Sequence, residues 1–201
     1  MQYEILRDVL ILVISGAAVL AALIGGLLFF LLRTVLMKDI STEVGKHMDK
    51  ECRKLRGQSD MQAGVTYWIQ KMYDHAIDVT QRALTEAGDV LDEPQVIFAK
   101  SNLGFYYAEK HKQQSSWNLK EEAIDLTKIG FEKYSPSISE FRKPDWIDNY
   151  VFVKSVFVQS SNEREQVIQL IDKLLSRTDL KSVHTYLEES KQYALGLELT
   201  S

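Results

Sequence analysis

The chain is poor in the residues that staple a fold or carry chemistry: 201 residues include one cysteine, three prolines and four histidines. A lone Cys52 excludes an internal disulfide, so nothing here demands an oxidising compartment. With proline only at Pro94, Pro136 and Pro144, long stretches are free of the residue that breaks helices. His47, His75, His111 and His184 are scattered, and no pair stands at metal-ligand spacing. No nucleophile elbow, phosphate loop, dinucleotide fingerprint or zinc motif occurs. Cys52 lies beside Arg53 and Lys54, but no histidine is placed as its base. His75 is expected on an exposed helix position and His111 in a polar insertion, both as solvated side chains. Glu121-Glu122 and Glu188-Glu189 are neighbours on helices, where adjacent side chains diverge by about 100° and share no site. The expectation is a protein that is not an enzyme and has no cofactor or metal.

Charge is also missing, over one long stretch. Between Asp8 and Arg33 no side chain is charged, and the 24 residues Val9 to Leu32 would reach about 36 Å as a helix, beyond the roughly 30 Å hydrocarbon core of a bilayer. A cleaved secretory signal calls for a basic start and a small-residue cleavage site. Here the start holds Glu4, Arg7 and Asp8, and the apolar run ends in Leu-Leu-Phe-Phe-Leu-Leu against Arg33. The reading is a retained single-pass transmembrane helix after a short tail, residues 1–8.

Seven basic residues, Arg33, Lys38, Lys46, Lys50, Arg53, Lys54 and Arg56, follow the span, against one before it. The positive-inside rule then puts the C-terminal part in the cytoplasm. Asp39, Glu43, Asp49 and Glu51 are interspersed, which leaves a periplasmic placement open. Within the span, Ala17, Ala21 and Gly25 form one stripe and Ala18, Ala22 and Gly26 the next, at the spacing that lets helices approach closely. A helix-association face and the ordinary abundance of small residues in membrane helices explain these stripes equally well.

From Gly57 onward the chain holds 22 acidic and 16 basic residues, an acidic balance that argues against nucleic acid as a partner. The basic stretch 33–56 suits anionic headgroups of the bilayer, or simply fixes topology. Along it Leu36, Ile40, Val44, Met48, Cys52 and Leu55 fall on one side of a helix continuing from the span, a stripe expected to pack on a neighbouring helix. Apolar residues keep helical spacing through 57–201, so this part is expected to be all-α.

Gly64 and Tyr67, followed by Ala76, Thr80 and Ala83, then Gly104 and Tyr107, followed by Ala123 and Gly130, set small residues against large ones at helix-pair spacing. This pattern resembles the tetratricopeptide repeat, in which a small residue on one helix receives the bulk of its neighbour. The resemblance covers roughly residues 57–176. Its third unit, with helices at Trp146 to Ser160 and Glu165 to Leu175, lacks the small residues. Between the units a linker is expected around Asp92-Glu93-Pro94, and a long turn from Lys110 to Asn118. Asn118 with Glu121 and Asn162 with Glu165 have capping-box spacing. A polar last helix, Asp179 to Leu195, reads as the cap that closes a repeat stack.

The resemblance implies a groove lined by the first helix of each pair, with Met61, Val65 and Trp68 from one unit and Phe98, Ser101, Phe105 and Glu109 from the next. Relatives that clamp the C-terminal carboxylate of chaperones carry Lys and Asn where Met61 and Val65 stand, and Asn102 alone fits that clamp, so chaperone tails are not expected to bind. The aromatics fit two fates, partner anchors or burial in the core. The function expected is a membrane-anchored adaptor or scaffold for protein–protein interaction that holds an unidentified protein partner at the bilayer. Bacterial envelope-assembly scaffolds and mitochondrial outer-membrane receptors share this architecture. The alternative is a structural accessory subunit, packed through its transmembrane and juxtamembrane helices against other subunits of a membrane complex or against its own copies.

Overall fold

The computed structural model describes residues 2–114, 119–134 and 143–196, the side chains of 2–14, 17–19, 134, 143 and 144 excepted. Among the described residues every regular element is helical, as the sequence pattern requires. The order is α1 (Gln2–Ile69), α2 (Tyr73–Ala87), α3 (Glu93–Gln113), α4 (Lys120–Tyr134), α5 (Lys143–Val156), α6 (Ser161–Leu175) and α7 (His184–Ala194), with a 3-10 helix, Thr178–Val183, leading into α7. The chain divides into two compact units, Met1–Lys50 and Glu51–Ser201.

The first unit is the larger part of α1. No proline or turn signal interrupts it, and the residues expected as a tail are helical from Gln2. An apolar window of mean hydropathy 2.2, with none of its residues buried, makes this helix long and apolar enough to cross a membrane. Leu23, Leu27, Phe29 and Phe30 are more than 60% exposed. The side chains of Ala17 and Ala18 lie outside the described residues. Ala21 and Ala22 are exposed, and a methyl group added at Gly25 or Gly26 would meet nothing within 4 Å. Leu36, Ile40, Val44 and Met48 are exposed too, as are Cys52 and Leu55 beyond them.

The second unit is built on close crossings. A Cβ at Gly57 would lie 2.6 Å from Ala87 Cβ, and one at Gly64 would lie 2.5 Å from Thr80 Oγ1, so the end of α1 and α2 run antiparallel and nearly touch. In the next pair a Cβ at Gly104 would lie 2.6 Å from the Ala123 carbonyl oxygen, and one at Gly130 would lie 3.2 Å from Ile97 Cγ2. A side chain at Gly57, Gly64 or Gly104 would force a neighbour to move, and Ala76, Ala83 and Ala123 are buried beside them. Between α1 and α2 the chain reverses at Lys71, whose φ of 59° is left-handed. The amide of Met72 donates to the Tyr67 carbonyl at 2.9 Å there, satisfying an end of the helix. Across the first pair, Arg82 clamps the buried Asp60 through two bonds of 2.6 and 2.8 Å.

The third pair packs differently. Ile147 and Val151 of α5 meet Val167, Ile171 and Leu174 of α6, and Leu180, Val183 and Leu187 close the cluster. Branched aliphatic side chains hold this end where glycines hold the others.

Several boundaries depart from the sequence expectation. Asp92-Glu93-Pro94 is the start of α3, because Gln95 Oε1 accepts from the Asp92 amide at 3.0 Å and a proline in the first turn needs no partner for its nitrogen. The α6 cap is Ser160, two residues before the expected Asn162: its Oγ accepts from the Glu163 amide at 3.1 Å, and Glu163 Oε2 accepts from the Gln159 amide at 2.7 Å. Asn118 lies outside the described residues. Helix α3 continues to Gln113 through the expected turn, so His111 is not in an insertion; it is half-buried against Phe157, with centroids 4.7 Å apart. The last helix is split, with Thr178–Val183 wound as 3-10 and α7 following.

Candidate functional site

Four helices of the second unit turn one face each toward a common cavity of about 480 Å³. Helical spacing decides which residues take part. Helix α1 contributes Val65 and Trp68, and α3 contributes Phe98, Asn102, Phe105, Tyr106, Glu109 and Lys112. Helix α5 adds Asp145, Asp148, Asn149 and Phe152, and α7 adds Tyr186, Glu189, Ser190 and Tyr193. Within each set the residues recur three or four positions apart, some as adjacent pairs, so each set occupies one helical face.

One wall is aromatic. Trp68 meets Phe105 edge-on with centroids 5.4 Å apart, and Phe105 meets Phe152 at 4.8 Å, tying α1, α3 and α5 together. These rings are half-buried: they pack on the core beneath and present the rest of their surface to the cavity. The cation of Lys112 lies 5.0 Å from the Phe152 ring centre and 5.2 Å from that of Tyr193, with Glu109 Oε1 at 3.5 Å.

The opposite wall is acidic. Burial pushes the Asp148 carboxyl up to about 7, and the neighbouring Asp145 and Glu189 push in the same direction. Beneath them Asn149 donates through Nδ2 to Ser101 Oγ at 3.1 Å and to Asn102 Oδ1 at 3.2 Å, a polar floor joining α3 to α5. Tyr193 and Tyr106 are held above the ordinary phenol range, in both cases chiefly by burial. Among the described residues no group of three or more His, Cys, Asp and Glu side chains could hold a metal ion.

No family model, no curated protein and no solved structure matches this chain. The site therefore has to be read from its own geometry.

Of the seven residues placed in the groove by sequence, Val65, Trp68, Phe98, Phe105 and Glu109 line this cavity together. Met61 is buried with Ala83 and Ala87 between α1 and α2, and Ser101 is fully buried under Asn149. The half supplied by α5 and α7 was not expected. Asp148 and Phe152 step by four on α5 as Phe98 and Asn102 do on α3, so the third pair carried a usable signal. Helix α7 carried none, because its polar sequence reads equally well as a solvated cap. Of the histidines, His75 is exposed beside the Tyr67 ring, and His184 Nε2 lies 3.2 Å from the Arg177 carbonyl oxygen.

Proposed function

We propose that the chain is a membrane-anchored adaptor of tetratricopeptide-like helix pairs, which captures a protein partner in the groove and holds it at the bilayer. The observation that carries this reading is the aromatic wall, in which Trp68, Phe105 and Phe152 from three helices expose ring surface inside one cavity. Large rings that are partly exposed on a rigid support are the usual anchors of a bound segment. The close crossings at Gly64 and Gly104 support the repeat-like assignment. The uncharged run Val9 to Leu32 of α1 supports the anchor, and the seven basic residues after it support a cytoplasmic position for the groove.

The test is photo-crosslinking from native membranes, followed by the same capture with Trp68→Ala and Phe105→Ala. Either substitution is expected to weaken capture by about 2 kcal/mol, as loss of an interface anchor does. Unchanged capture by both, with a folded protein, removes the groove from the function. Orientation is tested separately at Cys52, which is exposed. A membrane-impermeant thiol reagent should label it only after cells are permeabilised.

The exposed stripe Leu36, Ile40, Val44 and Met48 favours a second reading, an accessory subunit packed against other chains of a membrane complex or against its own copies. An accessory subunit should stay with the same companions through detergent purification, whereas an adaptor should lose its client.

A further inference from the structure

The groove's polar chemistry is one-sided. Four carboxylates, those of Glu109, Asp145, Asp148 and Glu189, line it against a single cation, Lys112, and that cation is already taken up by Glu109 and two rings. Asp148 and Glu189 have no ion-pair partner among the described residues. Ser190, 2% exposed, also lines the cavity beside them. Asn149 commits its Nδ2 to the floor and leaves Oδ1 as an acceptor. A buried polar group without a partner is costly unless something else satisfies it. This wall thus offers two carboxylates without an ion-pair partner and an amide oxygen that can accept a hydrogen bond.

We propose that the groove's occupant is a segment of a protein partner carrying a lysine or arginine, whose cationic head docks at Asp148, Glu189 and Ser190 while its aliphatic stem and apolar neighbours lie on Phe152, Phe105 and Trp68. Lys112 shows the principle inside the chain, with an ammonium resting on aromatic faces beside a carboxylate. An acidic segment would meet the carboxyl groups of Asp148 and Glu189, and an acyl chain would leave both without a counter-charge. The inference rests on the adaptor reading and adds the partner's chemistry to it.

A pH dependence follows. A docked cation favours the ionised carboxylate, so with Asp148 held at about 7, affinity should rise as pH passes upward through that value. The other ionisable groups facing this cavity are Asp145 on the same helix, Glu109, Lys112 and Tyr106 on α3, and Tyr186, Glu189 and Tyr193 on α7.

The test uses the full chain in neutral detergent micelles and three labelled peptide libraries, identical except for a central lysine, norleucine or glutamate between leucines. Fluorescence anisotropy should show the lysine library binding about tenfold tighter than the other two. Asp148→Asn and Glu189→Gln should each reduce that preference about fivefold. Neither change removes packing volume, and thermal melts establish that each variant is folded. Lowering the pH from 8 to 6 should weaken lysine binding in the parent chain and leave the Asp148→Asn variant nearly unchanged. Equal binding of the lysine and norleucine libraries, with Trp68→Ala weakening both, overturns the cationic occupant and keeps the groove. Displacement of all libraries by self-association of the chain overturns it in favour of a second copy. If no library binds and Trp68→Ala leaves capture from native membranes intact, the groove is not the capture site and the reading on which this inference rests falls.

Discussion

Two stretches of the same helix have opposite fates. In α1, Leu20 to Leu32 keep their apolar side chains exposed, whereas Gly57, Asp60, Met61 and Gly64 are buried against α2. Both stretches are helical without a break, so backbone propensity does not separate them. What separates them is how apolarity is arranged. Residues 9–32 are apolar on every face and offer no polar side to water, so burial requires an apolar surrounding from outside the chain. Residues 57–69 alternate small and large residues on one face, which lets a second helix of the same chain supply the burial. Hydrophobic content alone does not say where a helix belongs; its distribution around the axis does.

The sharpest way to break this contrast is to charge the first stretch. Ile24→Arg with Leu28→Arg should disfavour insertion by roughly 5 to 7 kcal/mol, at about 3 kcal/mol for each charge near mid-membrane. Carbonate extraction should then move the chain from the membrane to the supernatant. Retention in the membrane would mean that α1 is not the anchor.

The helix pairs that begin with the second stretch should fail through volume. Ala76→Leu puts a large side chain where the present one is fully buried, and should cost on the order of 1 to 3 kcal/mol by overpacking. Gly104→Val should do the same against the Ala123 carbonyl. Helical melts of the full chain in micelles report the loss. An unchanged melt would remove the close-crossing argument. The equivalent enlargement at Gly25 should leave the melt unaltered, because that position faces open space.

Asp148 gives a smaller effect with a defined sign. Its carboxyl stands at about 7 in the folded chain, above the ordinary value of 3.8. The folded state therefore holds a proton that the unfolded state releases, and stability is lost as pH rises between about 4 and 7. Asp148→Asn should flatten that slope and stabilise the chain at pH 8 by about 1 to 2 kcal/mol. Denaturation profiles of both proteins at pH 5 and 8 decide it. The cap at Ser160 is of similar or lesser size: Ser160→Ala should cost about 1 kcal/mol, while Asn162→Ala, at the expected but unused cap, should cost almost nothing.

Much of the fold was legible because it follows from spacing. The uncharged run, the helical period and the glycine and alanine positions at 64, 76, 83 and 104 are properties of a single chain read in order. They predicted helix type, the first two pairs, and the faces that present Val65, Trp68, Phe98, Phe105 and Glu109. The cap at Ser160 and the continuation of α3 past Lys110 were less legible, since several Asn, Ser and Asp residues compete for each helix end and local sequence does not rank them.

The other half of the cavity was decided by tertiary structure. Asp148, Glu189 and Ser190 are far apart in sequence, and each alone reads as a polar residue on a helix surface. Only the packing of α5 on α3 and of α7 on α5 makes them one wall, removes water from Asp148 and raises its carboxyl. Periodicity fixes which side of a helix a residue occupies, but the side chain it will face depends on how helices meet. That meeting is set by volumes summed over the whole core rather than by any local segment.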